Sequence, residues 1–144
     1  MIDMKRICQY LQGTKDNGIV FNPSKKLVVD CYAAADFAGL RGNENPQEPI
    51  CARSRTGFVV TFANFTLLWV SKLQTEISVS TLHSEYVALP HSVRALPPLK
   101  IIIKEVTDKL GIDSEKLKFV TSSNLYEDNN GAMVVATSPR MNPT

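Results

Sequence analysis

At Gln74 the apolar residues of this chain change period. Upstream, Leu27 to Ala33, Thr56 to Phe62 and Thr66 to Ser71 carry the β-branched and aromatic runs of strands; downstream, apolar residues recur every three to four positions, as on helices. A chain ordered in this way is confined to the mixed α/β class. It should contain an antiparallel hairpin where Ala63 to Phe65 joins two strands, and at least one crossover among the later elements. With 144 residues, 44% of them hydrophobic and 21% charged, it can bury one core of ordinary size, so one folded domain is expected.

Met4, Ile7, Cys8, Tyr10 and Leu11 recur at helical spacing, and Gly13 follows as a stop signal. Gly18 to Phe21 reads as extended, Pro23 to Lys26 as a turn and Gly39 to Pro49 as a loop. Beyond Gln74, Ser80 or Thr81 can cap a helix with Leu82, Tyr86, Leu89, Val93 and Leu96 down one side and Glu85 beside them. Pro90 should kink that helix, at a cost of roughly 3 kcal/mol, and Pro97 and Pro98 should end it. Leu99, Ile102, Ile103, Val106 and Leu110 then predict a second helix packed in the core and closed by Gly111. Lys116 to Tyr126 is strand-like, and Asn129 to Ala136 predicts a last short helix. After the lead-in helix the expected order is therefore β-β-β-α-α-β-α.

Sixteen Lys and Arg against fourteen Asp and Glu give a net charge of +2, too small to identify a nucleic-acid binder; a binding face would need local clustering. Cys8, Cys31 and Cys51 are odd in number and lack C-x-x-C spacing, which points away from a disulfide framework or a zinc site and toward an intracellular, reducing compartment. The apolar runs are short and interrupted, so neither a membrane span nor a secretory signal is expected.

Three acidic residues fall where elements end or begin: Asp36, Glu85 and Asp128. Carboxylates gathered from distant parts of a chain suit hard divalent cations, which prefer oxygen ligands. From spacing alone, however, such acids are more often solvated surface groups. His83 and His91 have no second histidine at i+4 and read as surface residues, while Trp69 and Phe37 read as core or groove-wall residues.

Five blocks, in order, carry a resemblance. Cys31-Tyr32-Ala33-Ala34-Ala35-Asp36-Phe37-Ala38-Gly39 looks like the Y-x-D-A-D-[FW]-A-G motif of the ribonuclease H domains of copia-type retrotransposons. Ser54-Arg55-Thr56-Gly57-Phe58 and Leu68-Trp69-Val70-Ser71-Lys72-Leu73-Gln74 resemble that family's S-x-T-G-[YF] and W-x-S-K-x-Q segments. Ser80 to Leu89 is similar to S-[ST]-x-E-A-E-Y-x-A-L, with His83 in place of a glutamate, and Glu127 to Ala132 is similar to E-D-N-x-[GS]-A. Lys5 to Lys15 also resembles the R-Y-L-K-G-T-K lead-in from the reverse transcriptase side.

The resemblance implies a ribonuclease-H-like fold, a mixed central sheet flanked by helices. Residues 1–22 would be a lead-in from the reverse transcriptase, and residues 23–144 the domain itself. It implies four carboxylates holding two Mg²⁺ (or Mn²⁺) ions about 3.5–4 Å apart, which cut the RNA strand of an RNA/DNA hybrid. The reverse transcriptase portion of the same polyprotein would be a partner. Position by position, Glu85 matches the helix glutamate and Asp128 the later aspartate, so these two are the expected metal ligands. The first aspartate falls at residue 34, which is Ala34. Asp36 lies two residues on, about 6.6 Å further along an extended strand, too far to replace it unaided. The fourth acid belongs downstream of Thr144, so the domain is expected to be C-terminally truncated. Arg53, Arg55, Lys72 and Gln74 are candidates to line the hybrid groove through phosphate and minor-groove contacts. Two readings stay open: an impaired endoribonuclease, and a non-catalytic module that binds hybrid or serves only as a fold.

Overall fold

The computed structural model describes residues 2–18, 20, 22, 27–40, 47–112 and 123–138. The turn expected at 23–26 and most of the strand-like stretch from 116 lie outside these residues, as do parts of the segments 18–21 and 39–49.

Helix α1 spans Ile2–Thr14, one residue past Gly13, and ends with the Thr14 hydroxyl donating to the Tyr10 carbonyl at 2.8 Å. Its apolar residues Met4, Ile7, Tyr10 and Leu11 are exposed. Strand β1 is Val29–Asp36, displaced toward the C-terminus from its expected span. A 3₁₀ turn follows at Pro49–Ala52, then β2, Arg55–Phe62, and β3, Phe65–Leu73. Ala63 and Asn64 form a two-residue hairpin turn with φ of 52° and 66°, the left-handed values that primed turns need to match strand twist. Helix α2 spans Thr81–Lys109, β4 is Asn124–Tyr126 and α3 is Asn130–Thr137. No helix among the described residues is long and apolar enough to cross a membrane.

The expected hairpin and mixed sheet are present. One four-stranded sheet runs β3-β2-β1-β4, antiparallel except for the β1–β4 pair, which is parallel and needs the α2 crossover. Period-two alternation divides the sheet into two faces. Val29, Cys31 and Ala33 of β1 and Phe58 and Val60 of β2 point inward, against Leu89, Leu96 and Ile103 of α2 and Ala132 of α3. The other face carries a row across all four strands: Tyr126 pairs with Tyr32, Tyr32 with Val59, and Val59 with Trp69. Tyr32 and Tyr126 stack at 4.8 Å, and Trp69 is 68% exposed. Trp69 is thus not a core residue, and Phe37 is also exposed, because both sit where no described element covers them.

The two helices expected between residues 81 and 110 are one. Helix α2 continues through Pro90, Pro97 and Pro98. All three prolines are exposed, so the carbonyls they deprive of a donor face water, and the sheet contacts of Leu89, Leu96 and Ile103 on either side hold the helix together. The buried stripe also differs from the expected one. Leu82, Tyr86 and Val93 are each about two-fifths exposed, whereas Ser84, Ala88 and Ser92 are completely buried. Small residues at i, i+4 and i+8 let the helix axis approach the sheet closely. The two serine hydroxyls are satisfied by helix carbonyls, Ser84 donating to Thr81 and Ser92 to Leu89, both at 2.7 Å, so they pack like small apolar groups. Further along α2, Ile103 is buried and Leu99 partly so, but Ile102, Val106 and Leu110 are exposed rather than in the core.

Candidate functional site

The start of α2 is held by three polar devices. Ser80 is the N-cap, its hydroxyl accepting from the His83 N–H at 3.1 Å, and the His83 Nδ1 accepts from the Val79 N–H at 3.3 Å. This resembles a capping box, with histidine in place of Glu or Gln and its bond reaching one residue further back, to the residue before the N-cap. Residue 83 therefore serves the helix start, and residue 85, two positions on, faces inward. The third device is Gln74, only 3% exposed. Its amide donates to Thr56 Oγ1 at 3.1 Å and to the Ser84 carbonyl at 2.9 Å, and its oxygen accepts from the Ser78 hydroxyl at 2.8 Å. With every side-chain bond turned inward, Gln74 braces β2, β3 and α2 at the wall of a hollow it lines with Lys72 and His91.

Glu85 is 5% exposed. The chain leaving β4 carries Glu127 and Asp128 to it, since β1 and β4 run parallel and both end toward the start of α2. One carboxylate oxygen from each of Glu85, Glu127 and Asp128 lies within 4.8 Å of the others. Gly131 lets α3 sit close against the first turn of α2: a Cβ there would stand 2.6 Å from Leu82 Cδ1 and push that side chain aside. Asn129 then caps α3, its side-chain oxygen accepting from the Ala132 N–H at 3.0 Å.

The electrostatics of this cluster are unbalanced. Among the described residues no Lys or Arg pairs with it; the ion pair found there, Lys104 with Asp108, lies at the far end of α2. Burial, and then the charge of Glu127, push the Glu85 carboxyl up to about 7, against a smaller downward pull from its hydrogen bond with the Ala35 backbone. Burial also raises Glu127, opposed by its bond from the Asn129 N–H. Glu85 Oε2 and Glu127 Oε2 are both buried and have no hydrogen-bond donor among the described residues. An orphaned buried acceptor costs about 1–3 kcal/mol, and more if charged. A proton kept on Glu85 and shared with Glu127 relieves part of that cost. A hard cation would relieve it for both.

The expected ligands Glu85 and Asp128 thus come together, 43 residues apart in sequence. Glu127 joins them although sequence reasoning passed over it. The available signal was the end of β4 at Tyr126: beyond it strand alternation lapses, and two consecutive acids can turn to the same place. The other candidates lie elsewhere. Ala34 is exposed on the outer face of β1, paired with Gly57, and lines a shallow hollow of about 350 Å³ with Ala35, Asp36, Arg55, Gly57 and Ser71. The Asp36 carboxylate folds over its own turn into the space that a Cβ at Gly39 would need, away from the cluster. Arg55 reaches Ser71 Oγ at 3.5 Å on that outer face, Lys72 is exposed on β3, and Arg53 is partly exposed behind the 3₁₀ turn.

The chain is 31% identical over 103 residues to the retrovirus-related Pol polyprotein from transposon TNT 1-94 of Nicotiana tabacum, a match covering 72% of this chain and 7% of that protein. It is 26% identical over 136 residues to each of the Pol polyproteins from transposons RE2 and RE1 of Arabidopsis thaliana, covering 94% of this chain and 8% of each. The chain is related to copia-type retrotransposon Pol polyproteins. It spans less than a tenth of the length of these Pol relatives. No family model and no solved structure matches it.

Proposed function

We propose that this chain is the ribonuclease-H-like domain of a retrotransposon Pol polyprotein, retaining a divalent-cation site but impaired in cutting the RNA of RNA/DNA hybrids. The observation that carries this reading is the convergence of Glu85 and Asp128, whose motifs suggested them, around a buried carboxylate oxygen with no donor. The mixed sheet flanked by helices and the Pol relationship support it.

The residues present fit a hard cation such as Mg²⁺ or Mn²⁺: the donors are all carboxylate oxygens, and no basic side chain among the described residues competes for them. Bound there, the ion would acidify a water and offset charge on a scissile phosphate. Glu85 supplies a rigid, buried oxygen from the first turns of α2. Asp128, exposed at the end of β4, supplies one facing solvent and substrate. Arg55 lies beside Ser71 on the outer face of the sheet, whereas Lys72, in register with the buried Thr56, lies on the other face, so Arg55 is the candidate for hybrid contact beside the hollow at Ala34. Residues 1–22 lead toward the reverse transcriptase portion. Ala34 has no oxygen beyond its backbone and its side chain faces the outer hollow, so nothing at residue 34 bridges a second ion to the cluster. That deficit favours a binding module over a working nuclease, within an intracellular element.

Cleavage of an end-labelled RNA/DNA hybrid, in Mg²⁺ and in Mn²⁺, tests the reading. The unmodified chain should cut weakly or not at all. Ala34→Asp, which would place its carboxylate in the outer hollow beside Arg55 and not in the cluster, should leave cleavage weak. Robust cutting by the unmodified chain, abolished by Glu85→Gln, would overturn the claim of impairment.

A further inference from the structure

We infer that Glu127 is a third ligand of the carboxylate site, so that this chain binds one divalent cation among Glu85, Glu127 and Asp128. The inference rests on the reading of this cluster as a cation site, and adds to it both a ligand and a stoichiometry.

Glu127 is built into position. Its Oε1 accepts the Asn129 N–H at 3.2 Å, and Asn129 is itself fixed as the N-cap of α3 by the Ala132 N–H. One carboxylate oxygen is therefore committed to the backbone. The other, Oε2, is buried without a donor among the described residues. The same is true of Glu85 Oε2, in a side chain 5% exposed. Two orphaned oxygens on separate elements, with Asp128 completing the set, make an electron-rich pocket and not a chance surface cluster.

The spacing suits one ion. Oxygens bound at about 2.0–2.1 Å stand roughly 3 Å apart when adjacent and roughly 4 Å apart when opposite. Ligand atoms within 4.8 Å of one another need only a small contraction to reach that arrangement. Charge points the same way. Three carboxylates more than neutralise one divalent ion, but two ions would bring four positive charges with no bridging oxygen at Ala34.

Titration calorimetry of the whole chain with Mn²⁺, alongside water-proton relaxation of the bound ion, tests this directly. The expected result is one ion per chain. Affinity should fall at least tenfold in Glu127→Gln and in Glu85→Gln, and should not change in Glu105→Gln, an exposed residue further along α2. Should Glu127→Gln fail to fold, Glu127→Asp, which keeps the charge but withdraws the oxygen by one methylene, answers the same question and should also weaken binding. Affinity within twofold in Glu127→Gln or Glu127→Asp, with binding still lost in Glu85→Gln, would sink the role of Glu127 and leave the cation site standing. Two ions per chain would overturn the stoichiometry, and no bound Mn²⁺ at millimolar concentration would overturn both the inference and the site.

Discussion

The two halves of α2 invert the usual arrangement of a surface helix. Its N-terminal half buries polar groups, Ser84, Glu85 and Ser92, while its C-terminal half exposes apolar ones: Ile101, Ile102 and Val106 are each more than half exposed. In the first half, small residues bring the helix onto β1, and the close approach leaves no water for Glu85. In the second half the helix runs past the sheet beside an apolar hollow of about 470 Å³, lined by Leu27, Phe62, Leu67, Leu99, Ile102 and Val106 among others. Apolar character alone therefore does not report what this helix buries. Distance from the sheet does, and residue size sets that distance.

The largest effect should come from filling the close contact. Ala88 is fully buried, and Ala88→Leu should lose about 3 kcal/mol in urea unfolding, since overpacking drives the helix off the sheet. A loss below about 1 kcal/mol would mean that the interface is not tight. Next in size is a pH effect confined to the same half. Glu85 titrates at about 7 in the fold but near 4.5 when unfolded. The folded chain then holds a proton that the unfolded chain releases, so stability should fall as pH rises from about 4.5 to 7, by on the order of 2 kcal/mol. Urea midpoints at pH 5 and pH 8 measure this fall. Glu85→Gln should flatten it, and an unchanged slope in that variant would place the titration elsewhere.

Smaller effects separate the cap from the tail. Ser80→Ala removes the N-cap acceptor and should cost about 1 kcal/mol by thermal melting; no change would mean that the His83 side of the cap suffices. Ile102→Ser, at a position 57% exposed, should stay within about 0.5 kcal/mol of the parent. If it costs several times that, the C-terminal half is covered after all and the contrast between the halves disappears.

Much of this architecture could be read from residue order, because it depends on local physics. Strand alternation from Thr56 to Ser71, the tight turn between those strands, the Ser80 cap and the Asn129 start of α3 each involve neighbours in sequence. Glu85 and Asp128 stood out through the motifs around them. The prolines misled for the same local reason: the cost of Pro90 is real, but Leu89, Leu96 and Ile103 hold the helix by contacts made far away in sequence. Tertiary structure alone decided that Ser84 and Ser92 lie deeper than Leu82 and Tyr86, that Gln74 is a brace, that Trp69 faces out and that Glu127 completes the carboxylate cluster. Each of these depends on which surface lies within a few ångströms, and periodicity reports only which side of an element a residue occupies, not what stands opposite.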